Sequence, residues 1–288
     1  MLKKILLVVM FILISAAGLK AYSLYKIVHP DEISFWRESD ESSSQNIDHS
    51  SLQTLLDQYL VESYSTSATE KDKPPGNTVS TRVFNYKKVS DEDKRKLKAY
   101  LDYLQSLEPR QYTKNVQFAY WVNLYNALTI HTVLSHYPIK SIKEIGDGFS
   151  GPWNIDYLTI AGQSLSLNNI EHGILRAIWQ DKRIHYVVNC ASISCPDLLP
   201  QTLQASSLEQ QLDNAARQYI NHPRALSFDD NSIILSSIYQ WFSDDFGQTE
   251  QDLLKHLMDY AKPALKEKLR DFSGRYNFHY NWELNEPH

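Results

Sequence analysis

Residues 113–137 read TKNVQFAYWVNLYNALTIHTVLSHY, and the rest of the chain must be arranged around them. Phe118, Ala119, Tyr120, Trp121, Val122, Leu124, Tyr125, Ala127, Leu128 and Ile130 cover every face of the helix this stretch predicts. A helix apolar all round belongs in the middle of a folded domain. Asn123 and Asn126 stand three apart on one side of it. Buried amides must find partners, so these two either tie neighbouring loops together or face a polar cleft as binding groups.

Working outward on the N-terminal side, Ser90 reads as an N-cap for a helix to about Leu107, with Asp91 to Asp93 in its first turn. Pro109 ends it. Leu52, Leu55, Leu56, Tyr59 and Leu60 recur at helical spacing. Residues 65–80 break that pattern and read as a loop. Residues 22–50, with a Ser-rich patch at 41–51, read as a linker or loosely docked lead-in.

The first twenty-one residues differ in kind. Lys3 and Lys4 precede an apolar run over 5–17, then come small residues. This is the pattern of a secretory signal, and it is short of the about 20 residues a membrane span needs. Cuts after Ala17 or after Ala21 compete, and an uncleaved N-terminal anchor is the alternative. That anchor is the only route to a membrane. Removing 1–21 takes three lysines (Lys3, Lys4, Lys20) and no acid, moving the net charge from −5 to −8. A negative body without a basic cluster argues against nucleic acid as a partner. The expected location is outside the cytoplasm, in the periplasm or anchored facing it.

On the C-terminal side, Leu158–Ile160 and Leu165 suggest a hairpin around Ala161-Gly162. Asn168 or Asn169 is placed to cap a helix carrying Ile170 to Arg176 and ending near Trp179. Ile184 to Asn189 reads as a strand, followed by the small-residue segment 190–196. A helix over 208–220 presents Leu208, Leu212, Ala215, Ala216 and Tyr219. Residues 225–228 and 233–235 form a hairpin about Asp229-Asp230-Asn231. A helix follows over 252–261, and the aromatic tail 276–282 alternates as a last core strand would. There is no internal repeat and no sustained βαβ alternation. The expectation is one α+β domain over 51–288, with several helices packed on a small, mostly antiparallel sheet.

Composition narrows the chemistry. With 42% hydrophobic and 22% charged residues the chain is neither disordered nor fibrous. Two cysteines exclude a disulfide framework and a four-cysteine metal site. Phosphate-binding glycine loops, H-E-x-x-H and G-x-S-x-G are absent. What remains is a 25-residue neighbourhood holding Glu171, His172, His185, Cys190 and Cys195. A thiol among small residues can be approached by substrate and by backbone donors.

A cysteine nucleophile needs a base and a group to orient it. Strand alternation puts His185 and Cys190 on opposite faces, which makes His172 the base and leaves His185 as the fallback. Glu171 lies about 100° round the helix from His172, and Arg176, one turn on, shares the face of His172. Glu171 or Asn123 would orient or polarise. Ser192 and Ser194 add hydroxyls nearby. A disulfide between Cys190 and Cys195, five apart in an exported chain, is the competing structural reading. A metal site of His172, His185 and the thiols lacks the usual paired spacings, and no cofactor is expected. His131, His136, His222 and His256 read as surface or capping groups.

Tyr120–Ala127 (YWVNLYNA), Tyr137-Pro138 with Ser141-Ile142, 167–176 (LNNIEHGILR), Arg183-Ile184-His185 and 189–196 (NCASISCP) resemble, in order, the blocks of the domain-of-unknown-function family 547. The likeness covers roughly residues 50–250. It implies exported or membrane-associated relatives in bacteria, and in plants a similar domain joined to a coiled coil, which favours a binding role. It also implies that the thiol matching Cys190 is the steadier of the two. The block arrangement resembles cysteine-peptidase or transglutaminase-type scaffolds. Two functions follow as expectations. One is an exported enzyme with Cys190 as nucleophile, performing acyl transfer or amide hydrolysis on a cell-envelope substrate. The other is a non-catalytic envelope module binding peptide or glycan, with Cys190 and Cys195 bonded and Asn123, Asn126, Arg176 and Ser192 among its binding groups.

Overall fold

The computed structural model describes residues 31–64, 80–146, 151–229, 231–247 and 249–287. The signal-like segment 1–21, the loop over 65–79 and Asp230 of the expected turn lie outside the described residues. Among the described residues no helix is long and apolar enough to cross a membrane.

The architecture is α+β. Helices α1 (Ser50–Tyr59), α2 (Asp91–Ser106) and α3 (Lys114–His136) pack in sequence order. Ser90 caps α2 by accepting from the Asp93 amide at 3.1 Å, and Thr113 caps α3 by accepting from that of Val116. Both caps satisfy donors the helix cannot pair internally. α3 is the buried axis: its residues from Val116 to Ile130 are buried on every face, as its uninterrupted apolar pattern requires. Trp121 is fully enclosed and packs edge-on against Trp36 with centroids 4.9 Å apart.

Trp36 corrects the reading of residues 22–50 as linker. It is also fully enclosed, Ile47 is buried, and the Ile33 amide donates to the Gly173 carbonyl at 2.9 Å. The approach is close: a Cβ on Gly173 would lie 3.1 Å from Ile33 Cγ1, so Ile33 would have to shift by a few tenths of an ångström. The described part of the lead-in is therefore an integral layer of the core. Ser-rich composition hid this, since two apolar residues spaced eleven apart carry no periodicity.

In place of the single sheet expected from sequence, the described residues form three separate small sheets. β1 (Leu60–Tyr64) pairs antiparallel with β2 (Ser80–Phe84), and β3 (Leu158–Ile160) with β4 (Gln163–Leu165) about Ala161-Gly162. β5 (Leu226–Asp229) pairs antiparallel with β6 (Ser232–Ser236), which pairs parallel with β7 (Arg275–His279). α4 (Leu208–Ile220) precedes this sheet, and between β6 and β7 run two short helices (Ile238–Trp241 and Ser243–Phe246), α5 (Glu250–Tyr260) and α6 (Pro263–Arg270). The β1–β2 pairing and α6 were not expected from sequence.

Three local corrections matter for the site. The segment Asn169–Arg176 winds as a π-helix, and Asn169 accepts from Ser166 instead of capping it. The expected strand at 184–189 is a 3₁₀ turn, Lys182–Tyr186, followed by irregular chain. The β-branched and aromatic residues there are buried as expected, but among the described residues no strand pairs with them. Finally, the aromatic tail is not core. Phe278 is 38% exposed, and after β7 the chain turns to lie along residues 191–194.

Candidate functional site

Six pieces of chain meet around one pocket of about 270 Å³. α3 contributes Tyr125, the π-helical segment Glu171 and His172, and the chain from 185 to 196 His185, Val188, Cys190, Cys195 and Pro196. The short helices and the tail close it with Ile238, Trp241, Phe242, Tyr280 and Trp282, and Trp153 completes the rim. The structure thus brings Cys190, Cys195, Glu171, His172 and His185 to one cavity. π-helical windings recur at functional sites, and here the wider turn narrows the angle between Glu171 and His172 so that both face inward.

The loop 189–196 is held from three sides. Asn189 Oδ1 accepts from the Ala191 amide, and its Nδ2 donates to the Pro196 carbonyl at 2.7 Å. The tail grips the loop through Ile193 N to Glu283 O, Asn281 N to Ser194 Oγ and Asn285 N to Ala191 O. Ser194, whose carbonyl also accepts from Tyr219, is part of this clamp. Ala191 sits at φ 58°, a left-handed conformation that costs a non-glycine residue about 1–2 kcal/mol and bends the chain directly after Cys190.

The two cysteines are unbonded, with their sulfurs 2.9 Å apart. Cys190 Sγ is 3.2 Å from Ser192 Oγ and 3.1 Å from Tyr280 Oη, and the Cys190 amide donates to Cys195 Sγ. The contacts from Cys195, Ser192 and Tyr280 hold the Cys190 thiol below its usual range, against the opposing effect of burial. Burial pushes Cys195 well above the usual range, and the neighbouring Cys190 adds to this. Replacing Tyr280 by phenylalanine removes one of these hydroxyls, and a lost donor to a thiolate favours the thiol. The pH midpoint for iodoacetamide alkylation of Cys190 is therefore expected to rise, read from alkylation rate against pH; an unchanged midpoint would refute the role given to Tyr280.

His172 is held through its Nδ1 by Arg176. Arg176 Nη1 lies 3.0 Å from His172 Nδ1 and can only donate, so Nδ1 accepts and the ring hydrogen belongs on Nε2. Among the described residues, none of the hydrogen bonds of Cys190 Sγ is to a histidine. His185 is not facing away, as strand alternation implied, because the strand does not exist. Its ring stacks on Phe242 at 4.4 Å, and its Nε2 lies 2.6 Å from Asp245 Oδ2. Asp245 also forms a two-pronged pair with Arg176 at 2.6 and 2.9 Å. Those bonds to His185 and Arg176 keep Asp245 well below the usual carboxylate range although burial opposes them.

Glu171 is the carboxyl at the centre. It is buried, hydrogen-bonded to Tyr125, and pushed above the usual carboxylate range by desolvation. A buried carboxyl raised in this way can carry a proton nearer neutrality and give it up when charge develops beside it. Asn123 and Asn126 make their hydrogen bonds to backbone. Asn123 exchanges two hydrogen bonds of 3.0 Å with the backbone of Leu203. Asn126 donates to the Val187 carbonyl and accepts from the Asn189 amide, both at 2.9 Å. Arg176 is absorbed by Asp245 and His172. His256, expected at the surface, is buried behind the site against Tyr186 Oη at 2.7 Å.

Sequence reasoning missed Asp245, Tyr280, Tyr125 and the aromatic rim. Asp245 is one of two adjacent aspartates, and nothing local distinguishes it from Asp244. Tyr280 lay in a tail whose alternation reads as strand. Among the described residues no cluster of three or more histidine, cysteine, aspartate or glutamate side chains is arranged to hold a metal.

Comparisons with curated proteins and with solved structures find no match. The model of a family described as protein of unknown function, DUF547, matches residues 109–220, a narrower span than the block resemblance suggested. The matched span includes Tyr125, Glu171, His172, Arg176, His185, Cys190 and Cys195, whereas Trp241, Phe242, Asp245, Tyr280 and Trp282 come from the chain beyond it. Over residues 109–220 this chain therefore carries a DUF547 domain.

Proposed function

We propose that this chain is a cysteine-dependent acyl-transfer or amide-hydrolysing enzyme of the cell envelope, with Cys190 as its nucleophile. The observation that carries the reading is one pocket holding both a thiol among hydroxyl donors and a buried, raised carboxyl, Cys190 and Glu171. Export rests on the pattern of residues 1–21. The hydroxyls of Ser192 and Tyr280 replace the helix N-terminus or imidazole that commonly supports a reactive thiolate. The likeness to cysteine-peptidase or transglutaminase-type scaffolds goes as far as this chemistry.

The step follows from the side chains present. Cys190 Sγ bonds to the carbonyl carbon of the donor, and the carbon–nitrogen or carbon–oxygen bond to the leaving group breaks. The leaving group takes a proton from Glu171 or from the Nε2–H of His172. Water or an amine then attacks the thioester, takes the acyl group and returns the proton, freeing Cys190. A preformed donor such as His172 Nε2–H is most useful where negative charge develops on the substrate.

The rim supports a second reading. Trp241 stacks against Trp282 at 5.5 Å, and Tyr280 and Trp153 extend the aromatic surface. Such a platform suits a non-catalytic module that holds a peptide or glycan. Intact-mass measurement of reductant-treated protein with activated esters and short amide peptides tests the two. The enzyme reading expects one acyl adduct on Cys190 that decays to free thiol, and none in Cys190→Ala. Turnover equal in Cys190→Ala and wild type, or saturable binding without any adduct, would overturn it in favour of the module.

A further inference from the structure

We propose that Cys190 and Cys195 are a reversible dithiol–disulfide couple that reduces an external disulfide, Cys190 being the attacking sulfur and Cys195 the resolving one. This activity uses the same pocket but does not depend on acyl transfer.

Geometry carries the proposal. The sulfurs stand 2.9 Å apart, and a disulfide bond measures about 2.05 Å, so the closing movement is about 1 Å. Neither cysteine lies in a helix or strand, and the left-handed Ala191 between them turns the loop so that both sulfurs meet. The two are unequal in access. Both line the pocket, but Cys190 is partly exposed there, whereas Cys195 is only 4% exposed. A disulfide small enough to enter therefore meets Cys190 first.

The electrostatics give the exchange its direction. Cys190 is the readier thiolate, and its charge is among the causes that hold the Cys195 proton in place. Attack by the Cys190 thiolate on R–S–S–R forms the mixed disulfide and expels one RS⁻. The charge on Cys190 is then gone, which lowers the cost of ionising Cys195. The Cys195 thiolate attacks Cys190 Sγ, the intramolecular disulfide forms, and the second RS⁻ leaves. Two electrons pass from the thiol pair to the external disulfide, and two protons go to solvent. Tyr280, hydrogen-bonded to both sulfurs, is placed to support whichever is ionised. A small dithiol reverses the sequence and restores the pair.

The test incubates full-length, pre-reduced protein with oxidised glutathione, quenches with acid and reads intact mass and peptide maps. Wild type is expected to lose two hydrogens, gain a Cys190–Cys195 link and carry no glutathione. Cys195→Ser is expected to accumulate one glutathione on Cys190, and Cys190→Ser to stay unmodified. Dithiothreitol must then return the oxidised wild type to the dithiol. Absence of the link in wild type, persistent glutathione on wild type, or a link that dithiothreitol cannot open would overturn the proposal, the last marking a structural staple. If Cys195→Ser does not fold by circular dichroism, a time course of wild type caught by rapid acid quench decides. There the mixed disulfide on Cys190 must precede the link. Because no acyl donor is present, failure here leaves the acyl-transfer reading standing, and failure of acyl transfer leaves this one.

Discussion

Replacing Asn126 by leucine is expected to lower the unfolding free energy by about 2–5 kcal/mol, measured by urea denaturation at neutral pH. The side chain is buried on α3 and makes two hydrogen bonds of 2.9 Å, donating to Val187 O and accepting from Asn189 N. Leucine fills a similar space but answers neither, so a carbonyl and an amide are left unsatisfied at about 1–3 kcal/mol each. The damage reaches the site, since Asn189 in turn holds the amide of Ala191 and the carbonyl of Pro196 on either side of the cysteines. Alkylation of Cys190 in the folded variant is expected to lose its depressed pH midpoint along with the stability. Unchanged stability would mean that Asn126 is not the tie between α3 and the cysteine loop.

The second large effect belongs to Asp245. Asp245→Ala is expected to cost about 3 kcal/mol, which for a domain of this size is roughly 6–12 °C in melting temperature. The Arg176 side chain is only 8% exposed and relies on Asp245 for its two-pronged pair. Removing one partner of a buried ion pair strands the other, which costs more than the intact pair is worth. Because Asp245 itself is 26% exposed, the expected loss sits at the low end of the range for fully buried pairs. Asp245→Asn keeps an acceptor for Arg176 and should lose distinctly less. Equal melting temperatures for wild type and Asp245→Ala would show that the network His172–Arg176–Asp245–His185 does not hold the pocket wall.

These two residues mark where sequence reasoning holds and where it stops. Asn126 was visible because it interrupts an otherwise apolar helix, and a buried amide must be answered by something. Whether it answered loops or substrate depended on which chain segments lie beside α3. Asp245 was invisible for the opposite reason: an acid beside another acid on a short helix looks like solvated surface until Arg176 is folded against it. The three N-caps at Ser90, Thr113 and Thr249, the stripe on α4 and the β3–β4 hairpin depend on residues within a few positions of each other. Their chemistry was local, so a local reading found the cap at Ser90, the stripe and the hairpin.

The error at 184–189 shows the limit from the other side. Ile184 to Val188 is as apolar as a strand, and burial was correctly implied, but strand and turn differ in their hydrogen-bond partners and not in their side chains. Among the described residues no strand pairs with it, and the backbone closes on itself in a 3₁₀ turn. With it fell the alternation that had set His185 opposite Cys190 and made His172 the base. The tautomer of His172 needed Arg176 in place, which depends on the segment winding as a π-helix.

The amino-acid sequence alone determined a buried central helix in an α+β domain, gathered Glu171, His172, His185, Cys190 and Cys195 into one short stretch, and carried the blocks that mark a DUF547 domain over residues 109–220. All of these rest on interactions within or between neighbouring residues. Tertiary structure alone decided that the two sulfurs stand 2.9 Å apart, that a distant tail supplies Tyr280 to them, and that Asp245 ties the histidines and arginine together. Those contacts join residues up to ninety positions apart. A partner at that separation is selected by the packing of whole elements against α3, and no local pattern of side chains encodes it.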